Sequence, residues 1–185
     1  MKVNPFMFGL AIRRKIDEDQ LSNIFVNALL EAVENGFEDV ATAINEDPAF
    51  SQSPNIQPKA FNQFLLIIIT ANLNYLQQNS EIENIAGLER KIIAKYANIF
   101  DQKEADFQKL IDDMSRFISQ VNYPSKNYLY GISKAIFYKY QLNDFQESYF
   151  QTMNSPNPLF LKRMDEITSH FLWDWDSFFK KHKLQ

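Results

Sequence analysis

Pro58-Lys59-Ala60-Phe61-Asn62-Gln63-Phe64-Leu65-Leu66-Ile67-Ile68-Ile69-Thr70-Ala71-Asn72-Leu73-Asn74-Tyr75 is the stretch that decides the fold class. Read at helical spacing, Phe61, Phe64, Leu65, Ile68, Ala71 and Tyr75 leave almost no polar side. A helix that is apolar all round belongs inside other elements, so this one, near residues 58–78, is predicted to be central. Its longest apolar run, residues 64–71, is closed by Asn72. It falls far short of the ~20 residues that cross a bilayer, which points to a protein core.

The segments around it carry one apolar face each. Asp17-Glu18-Asp19 puts negative charge in a first turn, and Leu21, Phe25, Ala28 and Ala32 then recur on one side, with Gly36 as the expected left-handed cap. Phe37, Val40, Ala41 and Ile44 fit a short helix ending before Pro48. Ser80 and Glu83 have capping-box spacing ahead of Ile85, Ile92 and Tyr96, and Asp101 and Glu104 repeat it. The clearest amphipathic stripe follows, through Phe107, Leu110, Ile111, Met114, Phe117, Ile118 and Val121, and Tyr123-Pro124 ends it. A helix from about Lys126 carries Leu129, Ile132, Ile136, Phe137 and Tyr140 inward, and a short one is expected around residues 145–152. Asn157 as cap and Pro158 at the first helical position open a last, long helix bearing Phe160, Met164, Ile167, Phe171, Trp175 and Phe178.

No segment alternates with period two and no period of 20 to 50 residues repeats. The expected architecture is therefore all-α: a single-domain irregular bundle of about six to eight helices over residues 1–185, with a basic leader at 1–16. Residues 48–58 and 154–158 read as loops. At 185 residues a chain hides roughly 70% of its unfolded surface, enough to hold a core without disulfide or structural metal.

Composition removes whole classes of chemistry. With no Cys there is no disulfide framework, thiolate metal site or cysteine nucleophile. Four glycines, Gly9, Gly36, Gly87 and Gly131, are too few and too scattered for a Rossmann or P-loop fingerprint. Residues 1–12 form a short apolar run with Arg13-Arg14-Lys15 on the wrong side for a secretory signal, so no export signal is read and a cytoplasmic location is expected.

The net charge of −4 hides a block structure. Residues 17–57 hold nine acids and no Lys or Arg, whereas residues 114–143 hold Arg116, Lys126, Lys134 and Lys139 and no acid. That second block also holds Tyr123, Tyr128, Tyr130, Tyr138 and Tyr140, and cations combined with aromatic faces grip stacked bases or anionic ligands. The prolyl turn before Ser125-Lys126 would aim free helix N–H groups at an anion. Arg116, Ser125, Lys126, Lys134, Tyr138 and Lys139 are the candidate anion or nucleic-acid set. The structural alternative has the rings covering core and the lysines solvating the outer face.

Gly131-Ile132-Ser133-Lys134-Ala135-Ile136-Phe137-Tyr138-Lys139-Tyr140 resembles the turn and recognition helix of TetR-type repressors, and Ala28-Leu29-Leu30-Glu31-Ala32-Val33-Glu34-Asn35-Gly36-Phe37 looks like the first helix of that family. The resemblance implies a helix-turn-helix entering the major groove. In the family the two pieces are adjacent at the amino terminus, and here they lie about 95 residues apart. Pro124 to Asn127 also occupy the place of the supporting helix, so family membership is not drawn.

Histidine chemistry is confined to His170 and His182, the latter in a Lys180-Lys181-His182-Lys183 tail expected to be frayed. Glu166, His170 and Asp174 stand four residues apart on the last predicted helix and are the candidate metal ligands, although one helix cannot close such a site. The bland reading pairs Lys162 with Glu166 and His170 with Asp174 along that helix. No Glu-x-x-His and no Gly-x-Ser-x-Gly occurs. No catalytic residue and no cofactor is assigned. Leu172-Trp173-Asp174-Trp175-Asp176-Ser177-Phe178-Phe179 spreads aromatics all round a helix, which calls either for burial on both sides, the favoured reading, or for an exposed contact surface. Trp173, Trp175 and Phe179 are the candidate partner-contact residues.

What remains is a non-enzymatic helical binding or regulatory protein whose partner is another protein, a second copy of itself or a small apolar or anionic ligand. A nucleic-acid-binding protein using residues 114–143 and a metal-dependent enzyme on the last helix are the two alternatives. Membrane attachment is not expected.

Overall fold

The computed structural model describes residues 13–78 and 85–185. Strand β1 (Arg14–Ile16) precedes helix α1 (Glu18–Asn45), whose N-terminus is capped by Asp17 accepting from the Gln20 amide at 2.7 Å. The helix runs straight through Gly36 and Phe37, so the expected cap and the expected second helix merge into one element. Gly36 answers to packing instead. A Cβ there would lie 3.1 Å from the Phe171 ring.

The central helix, α2 (Asn62–Gln77), starts later than Pro58 because residues 57–60 turn first, with the Ala60 amide on the Gln57 carbonyl at 2.9 Å. Its N-cap residue, Phe61, has no capping side chain, and Tyr140 does the work from elsewhere in the chain. The Tyr140 hydroxyl accepts from the Phe64 amide at 3.2 Å and donates to the Ala60 carbonyl at 2.7 Å. Phe64, Leu65, Ile67, Ile68, Ile69, Leu73 and Leu76 are all buried, which makes α2 the core helix that its all-round apolarity predicts.

Helix α3 (Ile85–Ile99) lies along α1, and Lys95 and Lys91 there meet Asp19 and Glu18 at 2.8 and 3.8 Å. Part of the acid-only block is thus answered by cations of another helix. The proposed Ser80–Glu83 capping box and residues 1–12 of the leader lie outside the described residues. Helix α4 (Glu104–Asn122) follows a turn in which Asp101 takes a left-handed φ of 50°. Lys103, not Asp101, occupies the cap position, and no side chain caps it, so that capping expectation fails.

Helix α5 (Tyr128–Lys139) packs on α4, α2 and the later α7. A 3-10 turn over Leu142–Phe145, helix α6 (Ser148–Met153) and helix α7 (Pro158–Ser169) come next, the last with Asn157 as cap and Pro158 at its start as expected. The long last helix does not form. The chain turns after Ser169, re-enters helix as α8 (Trp175–Lys181), and ends in strand β2 (His182–Leu184), which pairs in parallel with β1. The tail is accordingly ordered rather than frayed, with Ile16 opposite Leu184 and the His182 ring stacked on Phe178 at 4.3 Å. Three-residue strands are too short to show alternation, which is why the sequence does not reveal them.

The loop at residues 48–58 is pinned. Asn45 brackets Ile56 through both its amide atoms (2.9 and 2.6 Å), and Asp47 receives Arg163 bidentately at 2.5 and 2.6 Å. Among the described residues the architecture is all-α apart from the small sheet, and no helix is long and apolar enough to cross a membrane.

Candidate functional site

The α7–α8 break has a single organiser on α2. Asn72 is fully buried, and its side-chain amide donates to the Ile68 carbonyl at 2.9 Å and the Phe171 carbonyl at 3.0 Å, while its oxygen accepts from the Trp173 amide at 2.6 Å. Its own carbonyl accepts from Trp175 Nε1 at 3.0 Å. Backbone groups of Phe171 and Trp173, which an unbroken helix would use internally, are therefore engaged across the core. The turn sends Phe171 onto Phe64 and seats Trp173 and Trp175 around Phe25, with centroid distances of 5.0, 5.5 and 5.0 Å.

Between this turn and the end of α2 opens a cleft of about 470 Å³, lined by Tyr75, Gln78 and residues 172–176. Trp175 is 3% exposed and Phe179 4%, so these two candidates are core residues, whereas Trp173 is half-buried; it and Trp175 both contribute to the lining of the cleft. Tyr75 is held edge-on to Tyr128 at 5.3 Å, and burial raises its hydroxyl's pKa, with Asp165 nearby adding to the shift. Asp174 caps α8 by accepting from the Ser177 amide at 2.9 Å. The Ser177 side chain, that backbone bond and the nearby Lys180 and Lys181 hold its carboxyl below the usual range, so it is ionised at neutral pH. Asp176, in the first turn of α8, is the second carboxylate of the lining.

Two other hollows carry less. The one of about 580 Å³ between α3 and α4 is lined, among the described residues, by Ala86, Glu89, Arg90, Glu104, Ala105 and Gln108, none of them a ring. In the one of about 260 Å³ beside Asn74 and Ser115, Asn74 is bonded to Ser115 and Gln77 to Glu89.

The break also dismantles the stripe of Glu166, His170 and Asp174. They fall respectively in α7, at its C-cap and at the N-cap of α8, all exposed, and no three such ligands gather anywhere among the described residues. The pairing of His170 with Asp174 on one helix goes with it.

The Lys/Tyr block is mostly turned on itself. Lys134 sits over the Tyr130 ring at 4.7 Å, Lys139 over Phe117 at 4.5 Å, and Arg116 pairs with Asp113 just outside the block. Tyr138 donates to the Asn154 carbonyl at 3.1 Å, and Tyr128, its pKa pushed up to about 12 by burial, meets Asn74. The Ser125 hydroxyl accepts from the Asn127 amide at 3.1 Å and Asn127 caps the helix at Tyr130, so two of the donors meant for an anion are engaged within the turn. Lys126 is exposed.

Gly131 lies inside α5, not in a turn, and Ser133 is buried against Asp165 of α7. The glycine is small because α4 passes close by: a Cβ would lie 2.9 Å from that of Asn122. The likeness to a repressor turn is therefore one of letters.

No known protein family, curated protein or solved structure matches this chain.

Sequence reasoning singled out Trp173 and Asp174 but missed Asn72, Tyr75 and Asp176 as parts of one site. An Asn within an otherwise apolar helix was the available signal, since a buried amide must find partners.

Proposed function

We propose that the chain is a non-enzymatic helical binding protein whose ligand occupies the cleft between Tyr75 and residues 172–176. The observation that carries this is the Trp173 indole, half-buried at the cleft while its backbone is fixed by Asn72. Concave, aromatic-lined and largely pre-formed clefts of about 300–1,000 Å³ are where proteins hold small ligands or a partner's side chain. Among the described residues, the lining brings together no acid, base and nucleophile, and one of its carboxylates caps a helix. The Lys/Tyr surface supports binding less well, because its rings and two of its cations already satisfy each other.

The test is a ligand-detected NMR screen with a cocktail of small aromatic, aliphatic, cationic and anionic fragments, repeated on Trp173→Ala. Fragments that compete with one another and lose binding in the variant support the cleft. Hits indifferent to Trp173, or no hits at all, overturn it.

A further inference from the structure

The pairing of β1 with β2 brings two basic stretches of sequence together. Residues 13–16 and 177–185 contain Arg13, Arg14, Lys15, Lys180, Lys181 and Lys183 and no acid. In the parallel register Lys15 stands beside Lys183 and Arg14 beside His182, on strands about 4.8 Å apart. The ribbon is fixed from the core side. Ile16 is buried opposite Leu184, the Gln185 amide donates to the Ile16 carbonyl at 3.1 Å, and the His182 ring stacks on Phe178 of α8 at 4.3 Å. Side chains alternate between the two faces of a strand, so Ile16 against the core puts Lys15 and Lys183 together on the outer face, where both are exposed. Arg14, on the opposite face of the ribbon, is exposed as well, and so is Arg13.

The acids that adjoin the ribbon in sequence are engaged elsewhere. Asp17 caps α1, while Glu18 and Asp19 meet Lys91 and Lys95 of α3 at 3.8 and 2.8 Å. Asp174, at the other end of α8, draws on Lys180 and Lys181. Arg13, Arg14, Lys15 and Lys183 have no ion-pair partner among the described residues. Two ammonium groups held side by side repel, and an anion between them replaces that repulsion by attraction.

The shape of the ligand follows from the faces the cations occupy. An anionic lipid surface is a plane and meets one face of a ribbon at a time. A groove with phosphates on both walls meets both faces, and the major groove of B-form DNA, about 12 Å wide, admits a two-stranded β-ribbon. We propose that the β1–β2 ribbon is a nucleic-acid contact, in which Arg13, Arg14, Lys15 and Lys183 bind the phosphodiester backbone of duplex DNA along its major groove. Phosphate contacts position a protein without reading sequence, so the binding is sequence-independent. This surface shares no residue with the cleft lining and does not rest on the binding reading above.

The experiment is a fluorescence-anisotropy titration of the full chain into a labelled DNA duplex of arbitrary sequence, repeated from about 50 to 200 mM salt. Four phosphate contacts give a slope of about −3.6 in log affinity against log salt, a loss on the order of 100-fold over that range. Lys15→Gln with Lys183→Gln should halve the slope to about −1.8 and weaken binding at the lowest salt on the order of tenfold. Lys126→Gln with Lys134→Gln makes the same change in net charge away from the ribbon and should leave slope and affinity as they are. Near-ultraviolet circular dichroism checks that both variants keep the packing of the tryptophans.

No binding to the duplex at the lowest salt overturns the proposal. So does a ribbon variant that loses no more affinity than the Lys126 and Lys134 variant, since net charge or the 114–143 surface would then be responsible. Vesicles of phosphatidylserine in phosphatidylcholine are the rival polyanion, and binding to them as tight as to the duplex at equal phosphate concentration overturns the groove.

Discussion

Asn72 on α2 and Trp173 in the α7–α8 turn are joined by a 2.6 Å hydrogen bond from the Trp173 amide to the Asn72 side-chain oxygen, 101 residues apart in sequence. The same side chain holds the Phe171 carbonyl at 3.0 Å, so one amide fixes both sides of the turn. Asn72→Ala leaves the Phe171 carbonyl and the Trp173 N–H, both partly buried, without these partners, at about 1–3 kcal/mol for each one that water cannot reach. The expected loss is about 2–4 kcal/mol in urea denaturation, with a weakened near-ultraviolet tryptophan signal. Asn72→Asp should be worse than alanine, because it sets an oxygen against the Ile68 and Phe171 carbonyls.

That dependence also explains where the sequence was legible. On α4 the stripe was readable because burial there follows the helix's own period: Phe107, Ile111, Met114 and Ile118 are buried as spaced, Phe117 and Val121 are half-buried, and Leu110, 39% exposed, departs from it. The centrality of α2 was readable for the same reason. At the carboxyl-terminal end the periodicity of Phe171, Trp175 and Phe178 continued unbroken while the chain did not, since the break is held by a side chain on α2. Gly36 and Gly131 misled in the same manner. Gly36 reads as a local cap, and Gly131, in the repressor likeness, as part of a turn, but each is small because a distant residue, Phe171 or Asn122, passes close by. The cleft itself needed Tyr75 and residues 172–176 in one place, which no local pattern encodes.

Asp47, just ahead of the 48–58 loop, and Arg163 on α7 form a bidentate ion pair. The Asp47 side chain is 5% exposed and Arg163 reaches it bidentately, while Asp47 Oδ1 also accepts from the Ala49 amide at 2.9 Å. Arg163→Met would strand a buried carboxylate. Removing one partner of a buried pair costs about 3–5 kcal/mol, and because Arg163 is 37% exposed the expected value is lower, about 2–3 kcal/mol. Adding Asp47→Asn should recover part of that loss, so the double variant is more stable than the sum of the singles. A double-mutant cycle by urea denaturation measures the coupling, and simple additivity would show the pair to be uncoupled.

Asp165 gives the fold a pH signature. Its carboxyl is shifted up by burial between α5 and α7, an effect that the Ser133 hydroxyl bonded to it only partly offsets. A carboxyl raised on folding favours the folded state while protonated. Its contribution is full below the ordinary aspartate pKa and is lost as pH rises through the raised value. Asp165→Asn keeps an acceptor for Ser133 and removes the ionisation. The variant should therefore gain stability relative to wild type as pH rises from below the ordinary aspartate pKa through the raised value. Glu89, raised chiefly by burial as well, contributes equally to both proteins and cancels in the comparison. Parallel stability curves for the two proteins across that range would sink the assignment.

Gly131 and Gly36 separate packing from propensity. Both lie inside helices, where replacing Gly by Ala gains about 1 kcal/mol of helix propensity. At Gly131 the new Cβ would meet the Cβ and Cγ of Asn122 at 2.9 and 3.0 Å, atoms close to the backbone of α4 that cannot swing away. Overpacking of this kind costs about 1–3 kcal/mol, so Gly131→Ala should be destabilising on balance and should push α5 off α4. At Gly36 the new Cβ would meet only the far edge of the Phe171 ring at 3.1 and 3.2 Å, and a ring can tilt by a few tenths of an ångström. Gly36→Ala should therefore lie near neutrality or above it. Thermal unfolding of the two variants orders them, and a Gly131→Ala protein more stable than Gly36→Ala would show that α4 and α5 do not approach as closely as the structure has them.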